Sequence, residues 1–363
     1  MNAGLEGVVA AETVLSQVNG VEGRLIVRGR EIEELAGQLS FEAMAALLWD
    51  GLAPERGDER QVAAALESAR ADAFAKVPAL LTAAKGLALV DGLRTGLSML
   101  PERSDSHIAV TAAIPVFIAA LHRREAGQEP VAPTPGLAHV ADFLSMMNAA
   151  PAGGPIVDAL ETYLLTVADH GMNASTFTAR VVAATRAGTV ASTVAALGAL
   201  SGPLHGGAPG PVLDMLDEIG DPSRIDAWIE KHLGDGERLM GFGHRVYRTR
   251  DPRADVLKGV VARARNTRAR MALAERVEKA AIAALAARYP DRNLDTNVEL
   301  FTAVLLEGIG LPRALFTPVF AMGRVLGWTA HIFEQVASNR LIRPASHYVG
   351  PLPEGAPVLA VAG

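Results

Sequence analysis

The sequence contains no cysteine, which excludes disulfides, thiolate metal sites and a thiol nucleophile. Aromatic residues contribute only 5% and charged residues 20% of its 363 positions. No apolar run reaches the roughly 18 to 20 residues that a membrane-spanning helix needs. Residues 1–10 lack a basic stretch followed by an apolar one, so no secretory signal is expected. No Lys/Arg tract is interleaved with aromatics and the formal net charge is −6, which argues against nucleic acid as a partner. No histidine pair has the H-E-x-x-H spacing of a zinc site, so no metal is expected. Internal repeats, heptads and low-complexity tails are also lacking. The expectation is a soluble, cytoplasmic protein with no membrane contact.

Half of the residues are apolar, mostly Ala, Leu and Val, as in tightly packed helices. Near the N-terminus, Asn19-Gly20 separates two β-compatible runs, V-V-A-A-E-T-V-L and G-R-L-I-V-R-G, and predicts a small hairpin. Helical spacing then takes over. Phe41, Met44, Leu47 and Leu48 follow a plausible N-cap, Ser40, and residues 59–74, 108–123 and 155–167 read likewise. Residues 173–200 form a long Ala/Val-rich run, read as one helix buried on most sides. Leu273, Val277, Ala280 and Ala284 mark a buried face, and 312–336 is again apolar and helical. Residues 127–136, with three prolines, read as a surface connection, and 202–211, with four glycines and three prolines, as a boundary. The expected architecture is all-α with a minor N-terminal β-hairpin.

Chemistry concentrates in M-G-F-G-H-R-V-Y-R-T-R-D-P-R, residues 240–253. His244 stands there behind two glycines and is followed by Arg245, Arg248, Arg250 and Arg253. Glycine lets backbone approach a ligand, and an arginine fork grips carboxylate or phosphate bidentately. The segment fits a small polyanion held around a hydrogen-bonding histidine; a solvated basic loop ahead of a helix is the competing reading. His170 in A-D-H-G-M-N-A-S-T and His205 in S-G-P-L-H-G-G-A-P-G also adjoin glycine. His107, His122, His139, His232, His331 and His347 lack such settings and read as packing or surface residues. Glu299, in L-D-T-N-V-E-L-F-T, stands among apolar residues that would raise its pKa towards that of a working base. The motif alone equally describes a first-turn helix acid favoured by the dipole. Arg324, on an otherwise apolar helix, must meet an acid or an anionic ligand, whereas Arg340 and Arg343 could be surface charges.

Together, H-G-M-N-A-S-T, G-P-L-H-G-G-A and M-G-F-G-H-R-V-Y with D-P-R, in that order, resemble the citrate synthases. The likeness runs from L-E-G-V-V-A-A-E-T at Leu5 to R-L-I-R-P at Arg340. It implies an all-α homodimer with a large domain over 1–205 and 311–363 and a mobile small domain over 206–310. It implies condensation of acetyl-CoA with oxaloacetate and hydrolysis of citryl-CoA, with the CoA thioester as substrate and no permanently bound cofactor. By the same likeness His205 would donate to the thioester oxygen, His244 would polarise the oxaloacetate ketone and Glu299 would be the base. His170, Asn173, Arg253 and Arg324 would hold the oxaloacetate carboxylates, with Arg343 reaching in from the other subunit. Backbone from Leu239 through Gly241 to Gly243 would meet the CoA adenine, and Arg248 and Arg292 its phosphates.

Two departures stand out. The family pattern N-V-D is N-V-E here, and one more methylene moves a base by roughly 1 Å, which can cost on the order of a hundredfold in rate. The pattern G-G-A-N-E is G-G-A-P-G-P, which places Pro209 and Pro211 just beyond His205. A 2-methylcitrate synthase using propionyl-CoA, and a catalytically weak sensor of CoA or a carboxylic acid, remain as alternatives.

Overall fold

The computed structural model describes residues 4–5, 7–54, 57–206, 209–244, 246–263 and 268–351. Its only sheet among these residues is antiparallel and three-stranded, in the order β1 (Ser16–Asn19), β2 (Arg24–Val27), β3 (Arg30–Glu31). Ser16 pairs with Val27 and Asn19 with Arg24. The hairpin therefore exists, but its first strand lies after the V-V-A-A-E-T-V-L run rather than within it. Leu15, Leu25 and Val27 are completely buried and anchor the sheet, and the two-residue β3 went unread because Arg30 and Glu31 carry no apolar alternation.

Sixteen α-helices account for most of the rest of the described chain. Ser40 caps the helix Phe41–Trp49, its side chain accepting from the Ala43 amide, as its position ahead of an apolar period predicts. The expected segments appear as Glu59–Phe74, Ser106–Glu125, Gly154–Thr166 and Phe316–Ser338. Ser106–Glu125 is long and apolar enough to cross a bilayer by length and composition, contrary to the sequence expectation. Most of it is buried inside the protein, packed against Glu59–Phe74, Leu89–Ser98, His139–Asn148 and Phe316–Ser338.

The run 173–200 is two helices, Ala174–Ala183 and Thr189–Leu200, which pack on each other. Arg186 and Gly188 take positive φ (63° and 98°) and turn the chain between them. A second group, Pro209–Ile219, Pro252–Arg263, Arg268–Arg288 and Val298–Gly308, is packed largely around Val298–Gly308. Pro209, Gly210 and Pro211 form the start of a helix rather than a loop, where a missing amide costs nothing. Helix Gly154–Thr166 touches Pro252–Arg263, Val298–Gly308 and Phe316–Ser338, and so lies where the two groups meet.

Candidate active site

Helix Gly154–Thr166 ends just before His170, and Gly171, at φ 58°, bends the chain towards the next helix. Asn173 closes that bend. Its Oδ1 accepts from the Thr176 amide (3.1 Å) and its Nδ2 donates to Gly171 O (3.2 Å) and Thr176 Oγ1 (2.9 Å). Asn173 is thus a helix cap with its amide fully occupied, and the substrate contact expected for it is not what this geometry provides. Ser175, buried on the first turn, lies 2.8 Å from Asn173 Oδ1, 2.8 Å from His205 Nε2 and 3.1 Å from Trp328 Nε1, which donates to it. Two acceptors therefore compete for one hydroxyl proton. When the hydroxyl points to His205 Nε2, the imidazole proton resides on Nδ1; when it points to Asn173, Nε2 of His205 is the donor.

The segment 241–243 runs as a short strand-like stretch against 295–297. Phe242 and Thr296 form an antiparallel bridge, Gly243 N donates to Asp295 O (2.8 Å), and Asn297 N donates to Gly241 O (3.0 Å). Asn297 Nδ2 adds a bond to Gly243 O (3.0 Å) while its Oδ1 caps the helix that carries Glu299. Gly241 and Gly243 adopt φ of 87° and 76°, which L side chains rarely take. Beyond the bridge, His244 Nδ1 accepts from the amides of Val246 (2.9 Å) and Tyr247 (3.1 Å). The neutral ring therefore carries its proton on Nε2, as a donor to a carbonyl oxygen requires. His170 meets His244 edge to face, with ring centroids 5.5 Å apart, and its Nε2 lies 3.2 Å from the Tyr247 hydroxyl.

Burial, followed by the nearby guanidinium groups, keeps all three histidines neutral. His205 and His244 are lowered to about 4, and His170 lies well below its ordinary value. Arg253 is buried and gripped by Asp251 through Nε–Oδ1 (3.0 Å) and Nη2–Oδ2 (2.7 Å). Arg324, also buried, donates from Nε to Val167 O (2.5 Å) and stacks over Phe320; its Nη1 has no partner among the described residues. Burial lowers it to about 10. Glu299 is half-buried on the first turn of its helix. Burial raises its carboxyl to about 7, with Arg253 and Arg324 opposing and Asp251 reinforcing the shift. A carboxylate that deprotonates near neutrality is poised to take a proton from carbon.

His170, His205, His244, Arg253, Arg324 and Glu299 thus share one electrostatic environment. Of the described arginines that follow His244, Arg253 joins this environment. Arg250 pairs with Asp255 (2.5 Å) and Glu278 (3.6 Å), Arg248 is exposed, and Arg245 lies outside the described residues. Of the expected CoA contacts, Leu239 is buried, Gly241 and Gly243 spend backbone groups on the bridge, and Arg292 is exposed beside Tyr289. Arg343 is exposed.

Four residues escaped the sequence reading: Asp251, Tyr247, Ser175 and Tyr163. The first three lie inside quoted motifs, where their polarity was the available signal. Tyr163 had none, being a single tyrosine in an apolar helix. Its buried hydroxyl has no partner among the described residues, and the charges of Glu299, Arg324 and Arg253 surround it.

The family described as "Citrate synthase, C-terminal domain" matches residues 4–345, nearly the whole chain. The chain belongs to the citrate synthase family. A citrate synthase of Acidithiobacillus ferridurans is 34% identical, covering 96% of this chain and 95% of its own. A 2-methylcitrate synthase of Mycobacterium tuberculosis is also 34% identical, over 96% and 90%. Among solved structures, citrate synthase from Thermotoga maritima superposes with a TM-score of 0.87 at 37% identity, covering 98% of each chain. Citrate synthase from Thermoplasma acidophilum, in a ternary complex with carboxymethyl coenzyme A and oxaloacetate, gives a TM-score of 0.85 at 27% identity over 100% of this chain and 99% of its own. The all-α fold expected from the sequence is the fold of this family, and the chain is an enzyme of the citrate synthase type.

Proposed function

We propose that this enzyme condenses acetyl-CoA with oxaloacetate and hydrolyses the resulting citryl-CoA to citrate and CoA. The observation that carries the reading is a carboxyl raised to about 7, Glu299, in one environment with two neutral histidines, His205 and His244. Ionised Glu299 takes a proton from the methyl carbon of the thioester. His205, with its proton on Nδ1 and Ser175 donating to Nε2, donates to the thioester oxygen as the enol forms. The enol carbon then attacks the oxaloacetate ketone, whose oxygen accepts from His244 Nε2. Arg253, Arg324 and His170 hold the two carboxylates, and arginine does so without any risk of losing its proton. Water then cleaves the thioester.

The Thermoplasma acidophilum relative, captured with a coenzyme A derivative and oxaloacetate, supports this choice of ligands. CoA would lie along 239–243, with Arg248 and Arg292 at its phosphates. Residues 206–310 would close as a unit over the rest, within a cytoplasmic homodimer in which Arg343 completes the neighbouring site. Mixing Arg343→Ala and His244→Ala protomers should then restore one working site per heterodimer.

The Mycobacterium tuberculosis relative favours a second reading, with propionyl-CoA as the acyl donor. One extra methyl shifts selectivity by only about 1 to 3 kcal/mol. A thiol-release assay with each acyl-CoA and oxaloacetate decides between them. Release from neither, with oxaloacetate still bound, would leave a sensor and refute the enzyme reading.

A further inference from the structure

The strand β1 touches both loops that carry the paired histidines. At its start, the Gly171 amide donates to Ser16 Oγ (3.0 Å), and the Ser16 hydroxyl faces the Asp169 carboxylate and helps keep it ionised. Burial alone would raise Asp169, but His331, at 3.2 Å, and Ser16 outweigh it. Ser16 thus contacts the residues on either side of His170. Between the ends, Val18 packs on Gly171, where a Cβ would stand 3.4 Å from its methyl carbon.

Just past the other end, the Arg248 amide donates to Gly20 O (2.7 Å). A Cβ on Gly20 would land on the Val246 carbonyl oxygen, so the hairpin tip and the turn 246–248 lie backbone against backbone. That turn supplies the two amides that fix His244 Nδ1. The tip is itself braced, with Asn19 Oδ1 accepting from the Val21 (3.2 Å) and Glu22 (3.1 Å) amides. Asn293 Nδ2 holds the turn from the opposite side through Arg248 O (2.6 Å).

We propose that β1 is a splint that sets the spacing between His170 and His244, with Ser16 and Gly20 as positioning residues. Ser16 and Gly20 are four residues apart, about 13 Å along a strand. The splint joins two segments more than seventy positions apart in sequence, which also meet through the side chains of His170, His244 and Tyr247. The hairpin does not depend on these contacts alone for its place, because Leu15, Leu25 and Val27 are completely buried and anchor it. The kinetic consequence rests on the reaction proposed above; the spacing itself does not.

The test uses full-length protein labelled with 13C-histidine, as wild type and as Gly20→Ala, Ser16→Ala and Val21→Ala. Gly20 does not occupy the left-handed region, so alanine there disturbs only the approach to Val246. Val21, exposed at the same tip, is the control. The ring resonances of His170 and His244 should shift in Gly20→Ala and Ser16→Ala and stay in place in Val21→Ala. Thiol release with saturating acyl-CoA should fall about ten- to a hundredfold in Gly20→Ala, the scale of a 1 Å misplacement, in protein whose far-UV circular dichroism matches wild type. Should Gly20→Ala fail to fold, Ser16→Ala carries the same two measurements. Rings that do not move in the folded variants overturn the splint, and so do rings that move with no change in turnover. Wild-type protein that releases no thiol refutes the proposed reaction, and the ring resonances then still decide the spacing.

Discussion

Glu299 is one methylene longer than the aspartate of its family's pattern, and its surroundings govern how that carboxyl can act. Only the ionised form accepts a proton, so turnover should rise with pH through about 7 and level off above it. Glu299→Gln should abolish that limb and most of the rate while leaving oxaloacetate affinity nearly intact; an unchanged rate profile would remove Glu299 from the mechanism. The same raised pKa acts on stability with a definite sign. Between about pH 4.5 and 7 the folded state keeps a proton that the unfolded chain has released, so folding loses stability as pH rises through that window. Glu299→Gln should therefore melt higher than wild type at pH 8. Tyr163 offers a related case. An unpaired buried hydroxyl costs about 1 to 3 kcal/mol, so Tyr163→Phe should leave the melting temperature unchanged or raise it. A clear drop would mean that the hydroxyl has found a partner in solution.

Among the elements, Phe316–Ser338 places Arg324 by pressing glycine against backbone. A Cβ on Gly323 would stand 2.6 Å from Leu164 O, and one on Gly327 would overlap Ala168 O. Alanine is intrinsically the better helix former by about 1 kcal/mol. Gly323→Ala should nonetheless destabilise by about 1 to 3 kcal/mol, because the helices must separate. It should also weaken oxaloacetate binding as Arg324 shifts; urea unfolding and calorimetry measure the two effects. Elements of this kind were legible in the sequence wherever apolar period and cap coincide, as at Ser40 or along 59–74. The break inside 173–200 is harder to read, because a lone Gly188 in an apolar run is a weak signal and the other positive φ falls on Arg186, which nothing local announces. Strand β1 escaped for a different reason: Ser16 and Gln17 are polar, and its pairing is set by the buried partners Leu25 and Val27.

At the scale of the whole molecule, the three histidines were legible because glycine adjoins each of them, and Arg253 because it closes the same short motif as His244. The surroundings of Tyr163, and the pairing of Arg250 with Glu278, depend on helices distant in sequence. Neutral burial also shapes acid tolerance. His107, His205 and His244 are lowered to about 4, and His139 and His170 lie well below their ordinary value, chiefly through burial. The unfolded chain gains protons near pH 6.5 that the folded one refuses, so stability present above that pH is lost as pH falls towards 4. Urea midpoints at pH 8, 6 and 5 should decline in that order. If oxaloacetate closes residues 206–310 over the site, it should tighten CoA binding, and CoA must tighten oxaloacetate binding by the same factor. Titration calorimetry of each ligand with and without the other checks that equality; independent binding would exclude closure by oxaloacetate.

The bridge between Phe242 and Thr296 has a bearing on how this chain can change over time. It fastens the entry to His244 directly to the helix start that carries Glu299, so the distance between these groups is measured across a pair of backbone hydrogen bonds. The chain that loops out between them does not enter that distance. Lengthening such a loop costs little, about 0.6 kcal/mol for each doubling. Insertions at the exposed turn around Pro290 and Asp291 therefore leave the spacing of His244 and Glu299 to the bridge, and Arg292 and Asn293, which follow at once, set the limit of that tolerance.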